Sequence, residues 1–129
     1  MKNFFVGCKA VIMQDDKLLL LKSAEKENFW DVPGGRIDDN ESIHEALIRE
    51  LNEELPSHKN PKVGELIHAF RIPGSIKGDI GLVLLFYKVE VDFPDGIELS
   101  DEHTEHRWLG LSEAKEISSN GVVSMLEKL

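Results

Sequence analysis

The stretch GGRIDDNESIHEALIRELNEELPS, residues 34–57, joins a glycine pair and a polar turn to a helix rich in carboxylates. Its fixed cations are Arg36 and Arg49. Like charges at high density raise one another's pKa unless a cation is bound nearby. The imbalance therefore predicts that something cationic binds along this stretch. Its acidic residues are Asp38, Asp39, Glu41, Glu45, Glu50, Glu53 and Glu54.

We predict that the helix begins near Asn40, a residue type suited to an N-cap, and that Glu41 lies in its first turn. The helix should end by Leu55, because Pro56 lacks a backbone N–H and disfavours helical geometry in the residue before it. Residues 57–61 should then form a loop.

Three carboxylates of this helix share one side. At about 100° per residue, Glu53 lies roughly 60° to one side of Glu50, and Glu54 lies roughly 40° to the other. The carboxylates thus continue the apolar stripe that should pack inward. The apolar residues within roughly 60° of Glu50 around the helix are Ile43, Ala46 and Leu47.

Grouped carboxylates beside a low-dielectric surface either take up protons or bind a cation. Carboxylate oxygens are ligands that suit Mg²⁺ or Mn²⁺. The alternative is a solvated acidic face, on which Arg49 would pair with Glu45 and Glu53 at i±4 spacing. The geometry of the helix leaves both interpretations open.

The rest of the chain mixes strand and helix patterns. Residues 14–17 suit a hairpin turn that pairs the strands on either side, Pro33-Gly34-Gly35 should stop a short strand, and Asn120-Gly121 should separate two helices. The nearly all-apolar run at 80–91 should be a central strand. This order predicts an α/β fold, with a mixed sheet covered by helices on both faces. The predicted strands are 4–13, 17–22, 29–32, 63–72, 80–91 and 106–109; residues 92–104 are a predicted loop, and the later helices are 112–117, capped by Ser112, and 122–129.

A length of 129 residues predicts a single domain over residues 1–129. The apolar runs are far shorter than the roughly 18 residues that would suggest a membrane-spanning helix, and the N-terminus lacks a secretory signal pattern. We therefore expect a cytoplasmic protein without membrane contact. The single cysteine, Cys8, lies in an apolar strand pattern, and we expect it to be buried.

The net charge of -9 argues against binding to a long nucleic acid, because that affinity comes largely from Lys and Arg neutralising phosphates. A small phosphorylated substrate can still approach an acidic site if a divalent metal supplies the positive charge. The charge therefore favours a small-molecule partner over a polymer.

Residues 35–57 resemble the Nudix box, G-x5-E-x7-R-E-U-x-E-E-x-G-U, in which U is a bulky aliphatic residue. The chain departs from this pattern at Pro56, which stands in place of glycine, and at Ser57, which stands in place of the aliphatic residue. We therefore expect a different path out of the helix. The residues that match at the required spacing are Gly35, Glu41, Arg49, Glu50, Leu51, Glu53 and Glu54.

The resemblance implies a MutT-like Nudix hydrolase with a Nudix fold, an α/β/α sandwich around a mixed sheet. It also implies metal-dependent hydrolysis of a nucleoside diphosphate linked to another group, with Mg²⁺ or Mn²⁺ as cofactor. Carried over by position, Glu53, Glu54 and the Gly35 carbonyl would bind metal, and Glu50 would be a metal ligand or the general base. Arg49 would orient the glutamates by ion pairing, and Glu41 would support the loop–helix unit. The residues implied in catalysis are Arg49, Glu50 and Glu53.

Further candidates lie outside the box. Glu102 resembles a glutamate downstream of the box that serves in the family as a metal ligand or general base. Glu105 is the second candidate for that role. The alternative is that Glu102 is an ordinary surface-loop residue. Lys22 and Arg36 are placed to touch phosphates, although each would also suit an ordinary solvated cation. No histidine shows a spacing typical of a metal ligand.

We expect a nucleoside triphosphate pyrophosphohydrolase whose partner is a small-molecule nucleotide. The alternatives are a hydrolase of ADP-ribose, a nucleotide sugar or a dinucleoside polyphosphate, and a non-catalytic Nudix-like module that binds a nucleotide. A homodimer is compatible with the sequence.

Overall fold

The strands form two four-stranded sheets in the computed structural model, which describes residues 3–129. The elements in chain order are β1 (Asn3–Val11), β2 (Met13–Gln14), β3 (Lys17–Ser23), β4 (Trp30–Asp31), β5 (Gly34–Arg36), α1 (Ile43–Glu54), β6 (Lys59–Arg71), β7 (Ile80–Asp92), β8 (His103–Leu109), α2 (Leu111–Ile117) and α3 (Asn120–Leu126).

The first sheet has the strand order β5-β1-β7-β6. β1 and β7 are parallel, whereas β5 and β6 run antiparallel to their neighbours, so the sheet is mixed as predicted. The predicted central position of β7 is confirmed, because β7 lies between β1 and β6. In the second sheet β3 pairs with β2, β4 and β8, all antiparallel.

The two faces of the strands are buried in two separate cores. Leu19 and Leu21 pack in the core that contains Leu47 of α1. Leu18 and Leu20 pack in the core that contains Met125 of α3, together with Ala114 of α2. Because a strand that is covered on both faces has no solvent side, residues 18–21 form an uninterrupted leucine run. The predicted α/β/α sandwich is confirmed.

The predicted pairing of residues 4–13 with residues 17–22 is largely wrong. The hairpin turn exists, and Asp15 and Asp16 adopt positive φ angles of 52° and 62°, as two-residue hairpin turns require. The strand before it, however, leaves the first sheet at Ile12, and the partner of β1 is β7. Only the short β2 therefore pairs with β3 from this segment.

The start of α1 differs from the prediction. Ser42 is the N-cap: its side chain accepts a hydrogen bond from the Glu45 backbone, and the Glu45 side chain accepts one from the Ser42 backbone. Asn40 has a positive φ of 64°, and Glu41 precedes the helix instead of lying in its first turn. The reciprocal capping box outweighs the single cap that asparagine could offer. The helix ends at Glu54, next to the predicted Leu55.

Other boundaries also shift. The predicted short strand does end before Pro33, since β4 covers Trp30–Asp31, but Gly34 then begins a new strand, β5, and pairs with Lys9 of β1. β6 begins at Lys59, inside the predicted loop. Ser112 lies within α2, whose N-cap is Gly110, and Asn120-Gly121 forms the first turn of α3. A glycine suits this position because a Cβ would lie only 3.1 Å from the Leu84 side chain and 3.4 Å from the Phe86 ring.

Within residues 3–129, the helices are all too short or too polar to cross a membrane.

We predict that Ser42→Ala lowers the free energy of unfolding by about 1 kcal/mol, because the substitution removes the side-chain half of the capping box. The measurement is chemical denaturation followed by circular dichroism. Ser112→Ala is the matched control and should lower it by less than about 0.5 kcal/mol, since α2 has no side-chain cap hydrogen bond. Equal losses in the two variants would contradict the capping role.

We predict that Cys8 resists alkylation in the native protein. Burial, reinforced by the negative charges of Glu41 and Glu50, raises the pKa of the Cys8 thiol to about 11. The thiol is therefore protonated, and so weakly nucleophilic, at about pH 8. Iodoacetamide labelling read by mass spectrometry should be slow for folded protein and fast in guanidinium chloride. Equal rates in both conditions would contradict the burial of Cys8.

Candidate active site

Two adjoining cavities open between the sheets, of about 420 and 650 Å³. Glu54, Glu102 and His103 line the first cavity. Gly35 and Arg36 line the second, together with apolar side chains from β7 and the 72–76 turn. The two cavities meet at residues that line both: Lys9, Lys26, Phe29 and Asp31.

Glu54 lies on the inward face of α1 and is 3% exposed. Its Oε2 accepts a hydrogen bond of 3.0 Å from the Gly34 backbone, and its Oε1 lies 3.6 Å from His103 Nε2. Burial, together with contact with the Glu50 carboxylate, raises the pKa of Glu54 well above its ordinary value. A bound cation would oppose that shift, because it favours the ionised carboxylate.

The glycine pair makes room for these carboxylates. Gly34 has a φ of 139°, and a Cβ there would overlap the Cys8 carbonyl oxygen. A Cβ on Gly35 would overlap the Glu50 carboxylate instead. Gly34 therefore requires glycine on steric grounds, whereas a side chain at position 35 would force the Glu50 carboxylate to move. The proposed metal contact of the Gly35 carbonyl stays a prediction.

Arg49 ties the turn before α1 to the helix. It donates to both carboxylate oxygens of Glu41, at 2.9 and 2.8 Å, and to Glu50 Oε1 at 2.9 Å. It also donates to the Arg36 carbonyl oxygen at 3.0 Å. The hydrogen bonds from Arg49 lower the pKa of Glu41 to about 2. Arg49 thus holds the Glu41 and Glu50 carboxylates in place, while its orienting role in catalysis and the supporting role of Glu41 stay predictions.

The three helix carboxylates do not share one environment. Glu50 and Glu54 are buried, whereas Glu53 is exposed, and its oxygens lie 3.4 Å from Arg49 Nη1. The three carboxylates span about 100° around the axis of α1. The buried face of the helix ends between Glu50 and Glu53, so Glu53 lies on the solvent side of that boundary. The solvated alternative is thus wrong for Glu50 and Glu54, and Glu45, in the capping box, does not pair with Arg49.

Glu102 and His103 complete a group with Glu54. One ligand atom from each of the three lies within 4.8 Å of the others. Burial lowers the pKa of His103, whose side chain is half-buried, and its buried Nδ1 atom has no hydrogen-bond partner among the described residues. A neutral imidazole and two carboxylates are suitable donors for a divalent cation, so the residues present fit one.

His103 is the residue that sequence spacing missed. It lies on β8 and Glu54 on α1, so their proximity arises only in the folded chain, and adjacency to Glu102 was the only sequence signal. Glu105, the fallback for Glu102, lies outside this group and pairs with Arg107 at 2.9 Å.

Two predicted cations are placed differently from each other. Arg36 lines the second cavity, and its guanidinium lies over the Phe5 ring at 4.6 Å. Lys22 lines neither cavity, whereas its neighbours Leu21 and Ser23 line the first. Successive side chains of a strand point to opposite faces, so Lys22 points away from the cavity. The sequence did not single out Lys9 or Lys26.

The path out of α1 follows from Pro56 and Ser57. The C-cap Leu55 is not left-handed, with a φ of -130°. The Ser57 hydroxyl donates to the Gly96 carbonyl oxygen at 2.8 Å and accepts from the Glu98 backbone at 2.9 Å. The hydroxyl thereby attaches the helix exit to the 93–102 loop, which carries Glu102.

We predict that Gly35→Ala weakens Mn²⁺ binding by about tenfold or more, because the added Cβ displaces the Glu50 carboxylate. Electron paramagnetic resonance of free Mn²⁺ measures the affinity. Gly110→Ala is the control, since its Cβ would meet Glu113 at an ordinary 3.8 Å. Wild-type Mn²⁺ affinity in Gly35→Ala would contradict the predicted displacement.

A family profile, curated proteins and solved structures all match this chain to the same family. A family profile described as NUDIX domain matches residues 5–127. The asymmetrical bis(5'-nucleosyl)-tetraphosphatase of Mus musculus is 30% identical over 104 residues, which are 79% of this chain and 69% of that protein. CTP pyrophosphohydrolase of Escherichia coli K12 is 33% identical over 79 residues, 50% of this chain and 58% of that protein.

Among solved structures, a MutT NUDIX hydrolase from Burkholderia pseudomallei matches with a TM-score of 0.83 at 24% identity, covering 99% of both chains. This match concerns the fold. The profile match over nearly the whole chain, supported by the mouse relative, shows that the chain belongs to the Nudix family and is a Nudix hydrolase.

Proposed function

We propose that the protein hydrolyses a nucleoside triphosphate to a nucleoside monophosphate and pyrophosphate, with Mg²⁺ as cofactor and Mn²⁺ as a substitute. The observation that carries this proposal is the group of Glu54, Glu102 and His103 at the cavity wall, with the cations Lys9 and Lys26 in the same lining. Carboxylates suit the metal, and the lysines suit a polyphosphate.

The reaction requires water to attack a phosphorus atom while its bond to the leaving pyrophosphate oxygen breaks. When bound, a divalent cation neutralises phosphate charge and makes a coordinated water more acidic. Glu54, Glu102 and His103 would hold that cation. Arg49 orients Glu50, whose carboxylate would serve either as a further ligand or as the acceptor of the water proton.

The relatives support the broader class and leave two substrates in competition. The E. coli relative is named for a nucleoside triphosphate, CTP, but matches half of this chain. The mouse relative is named for a bis(5'-nucleosyl) tetraphosphate and matches 79% of the chain. That longer match makes a dinucleoside polyphosphate the second candidate substrate.

The test is a turnover screen with Mg²⁺ or Mn²⁺ against dNTPs, oxidised dNTPs, ADP-ribose, nucleotide sugars and dinucleoside polyphosphates. We expect the highest kcat/KM for a nucleoside triphosphate, with pyrophosphate released. Preference for a dinucleoside polyphosphate would replace the first candidate with the second. Nucleotide binding without metal-dependent turnover of any compound would instead indicate a binding module.

We predict that Glu54→Gln and Glu102→Gln each lower kcat/KM by about 10²-fold, the scale of losing one preorganised charged group at a reacting centre. Glu105→Gln is the matched control and should retain wild-type activity, because Glu105 pairs with Arg107 outside the group. Glu53→Gln should lose less activity than Glu54→Gln, since Glu53 is exposed. A loss in Glu105→Gln that equals the loss in Glu102→Gln would contradict the assignment of Glu102.

A further inference from the structure

We propose that Lys9 is a substrate-binding residue, whose ammonium group binds a phosphate oxygen of the nucleotide where the two cavities meet. The inference rests on the proposed function for its ligand, a nucleotide phosphate chain. Lys9 lies outside the Nudix box and differs from Lys22 and Arg36, the two cations that the sequence indicates as phosphate-binding candidates.

The position of Lys9 comes from the pairing of β1 with β5. Lys9 pairs with Gly34, and the Gly34 backbone N–H donates to Glu54. The Lys9 side chain lines both cavities, and the buried Glu54 lines the first of them. A phosphate chain that extends from one cavity into the other would pass this ammonium group.

Lys9 is 8% exposed, which is rare for lysine unless its charge is paired. Its Nζ lies 3.1 Å from Asp31 Oδ2, and Asp31 is its one ionic or hydrogen-bond partner among residues 3–129. An ammonium group has three N–H donors. The donors that do not face Asp31 are thus available to a ligand in the cavities.

Asp31 is already supported by other donors. Its Oδ1 accepts from the Val32 backbone at 2.8 Å and from the Ser119 hydroxyl at 3.4 Å. A buried ion pair costs desolvation energy that its own attraction often fails to recover. An ion pair maintained at a cavity junction is therefore better explained if the cation also has a ligand there.

Lys9 is one of two lysines that line both cavities. The other lysine at the junction, Lys26, is exposed, and its ammonium lies over the Phe29 ring at 4.7 Å. Lys9 is the more preorganised of the two, so its bond to a phosphate would cost less conformational entropy.

The test measures pyrophosphate binding, a readout that does not depend on turnover, by isothermal titration calorimetry in the presence of Mg²⁺. We predict that Lys9→Met weakens pyrophosphate binding by at least about tenfold, the scale of one charge-assisted hydrogen bond. KM for the substrate found by screening should rise more than kcat falls. Lys17→Met, at an exposed strand end, controls for the loss of one positive charge and should bind pyrophosphate as wild type does.

The double variant Lys9→Met/Asp31→Asn separates phosphate binding from a structural role. It leaves no unpaired buried charge, so it should fold even if Lys9→Met alone does not. We expect its thermal stability to be close to wild type and its pyrophosphate affinity to stay at least about tenfold weaker. Wild-type affinity in the double variant, or no pyrophosphate binding by the wild-type protein, would overturn the inference. Failure of the screen alone would overturn the proposed function instead.

Discussion

Two glutamate carboxylates, Glu50 and Glu54, are buried on the face of α1 that packs inward. Buried carboxylates in contact are unfavourable unless positive charge or hydrogen-bond donors surround them. Arg49 donates to Glu50, and the Gly34 backbone donates to Glu54. Burial and contact with Glu50 still raise the pKa of Glu54, and a bound cation would oppose that rise.

Strand β5 lies close to both β1 and α1, and this close approach provides the space and the hydrogen-bond donor that the buried carboxylates need. Gly34 fits against the Cys8 backbone, and Gly35 leaves space for the Glu50 carboxylate. The same pairing places Lys9 opposite Gly34, whose backbone N–H donates to Glu54. The start of β8 and the residue before it bring His103 and Glu102 close to Glu54 of the helix. The site is thus assembled where two sheets and one helix meet.

The fold was largely predictable because burial leaves a direct pattern in the chain. The leucine run at 18–21 and the apolar run at 80–91 reflect strands that are covered on both faces. Pairing partners were less predictable, since β1 pairs with β7 across a long stretch of chain instead of with its neighbour β3. Helix starts depended on local hydrogen bonds, which Asn40 and Ser42 could each have offered.

The sequence by itself indicated the family and placed Glu50 and Glu54 on the inward stripe of α1, because both depend on short spacing along one segment. Tertiary structure alone separated the exposed Glu53 from its buried neighbours, since that boundary depends on what packs against the helix. It also added His103, which approaches Glu54 from β8, and Lys9, which lines the same cavity from β1. Spacing along the chain carries no signal for such contacts, because they form only when distant segments pack together.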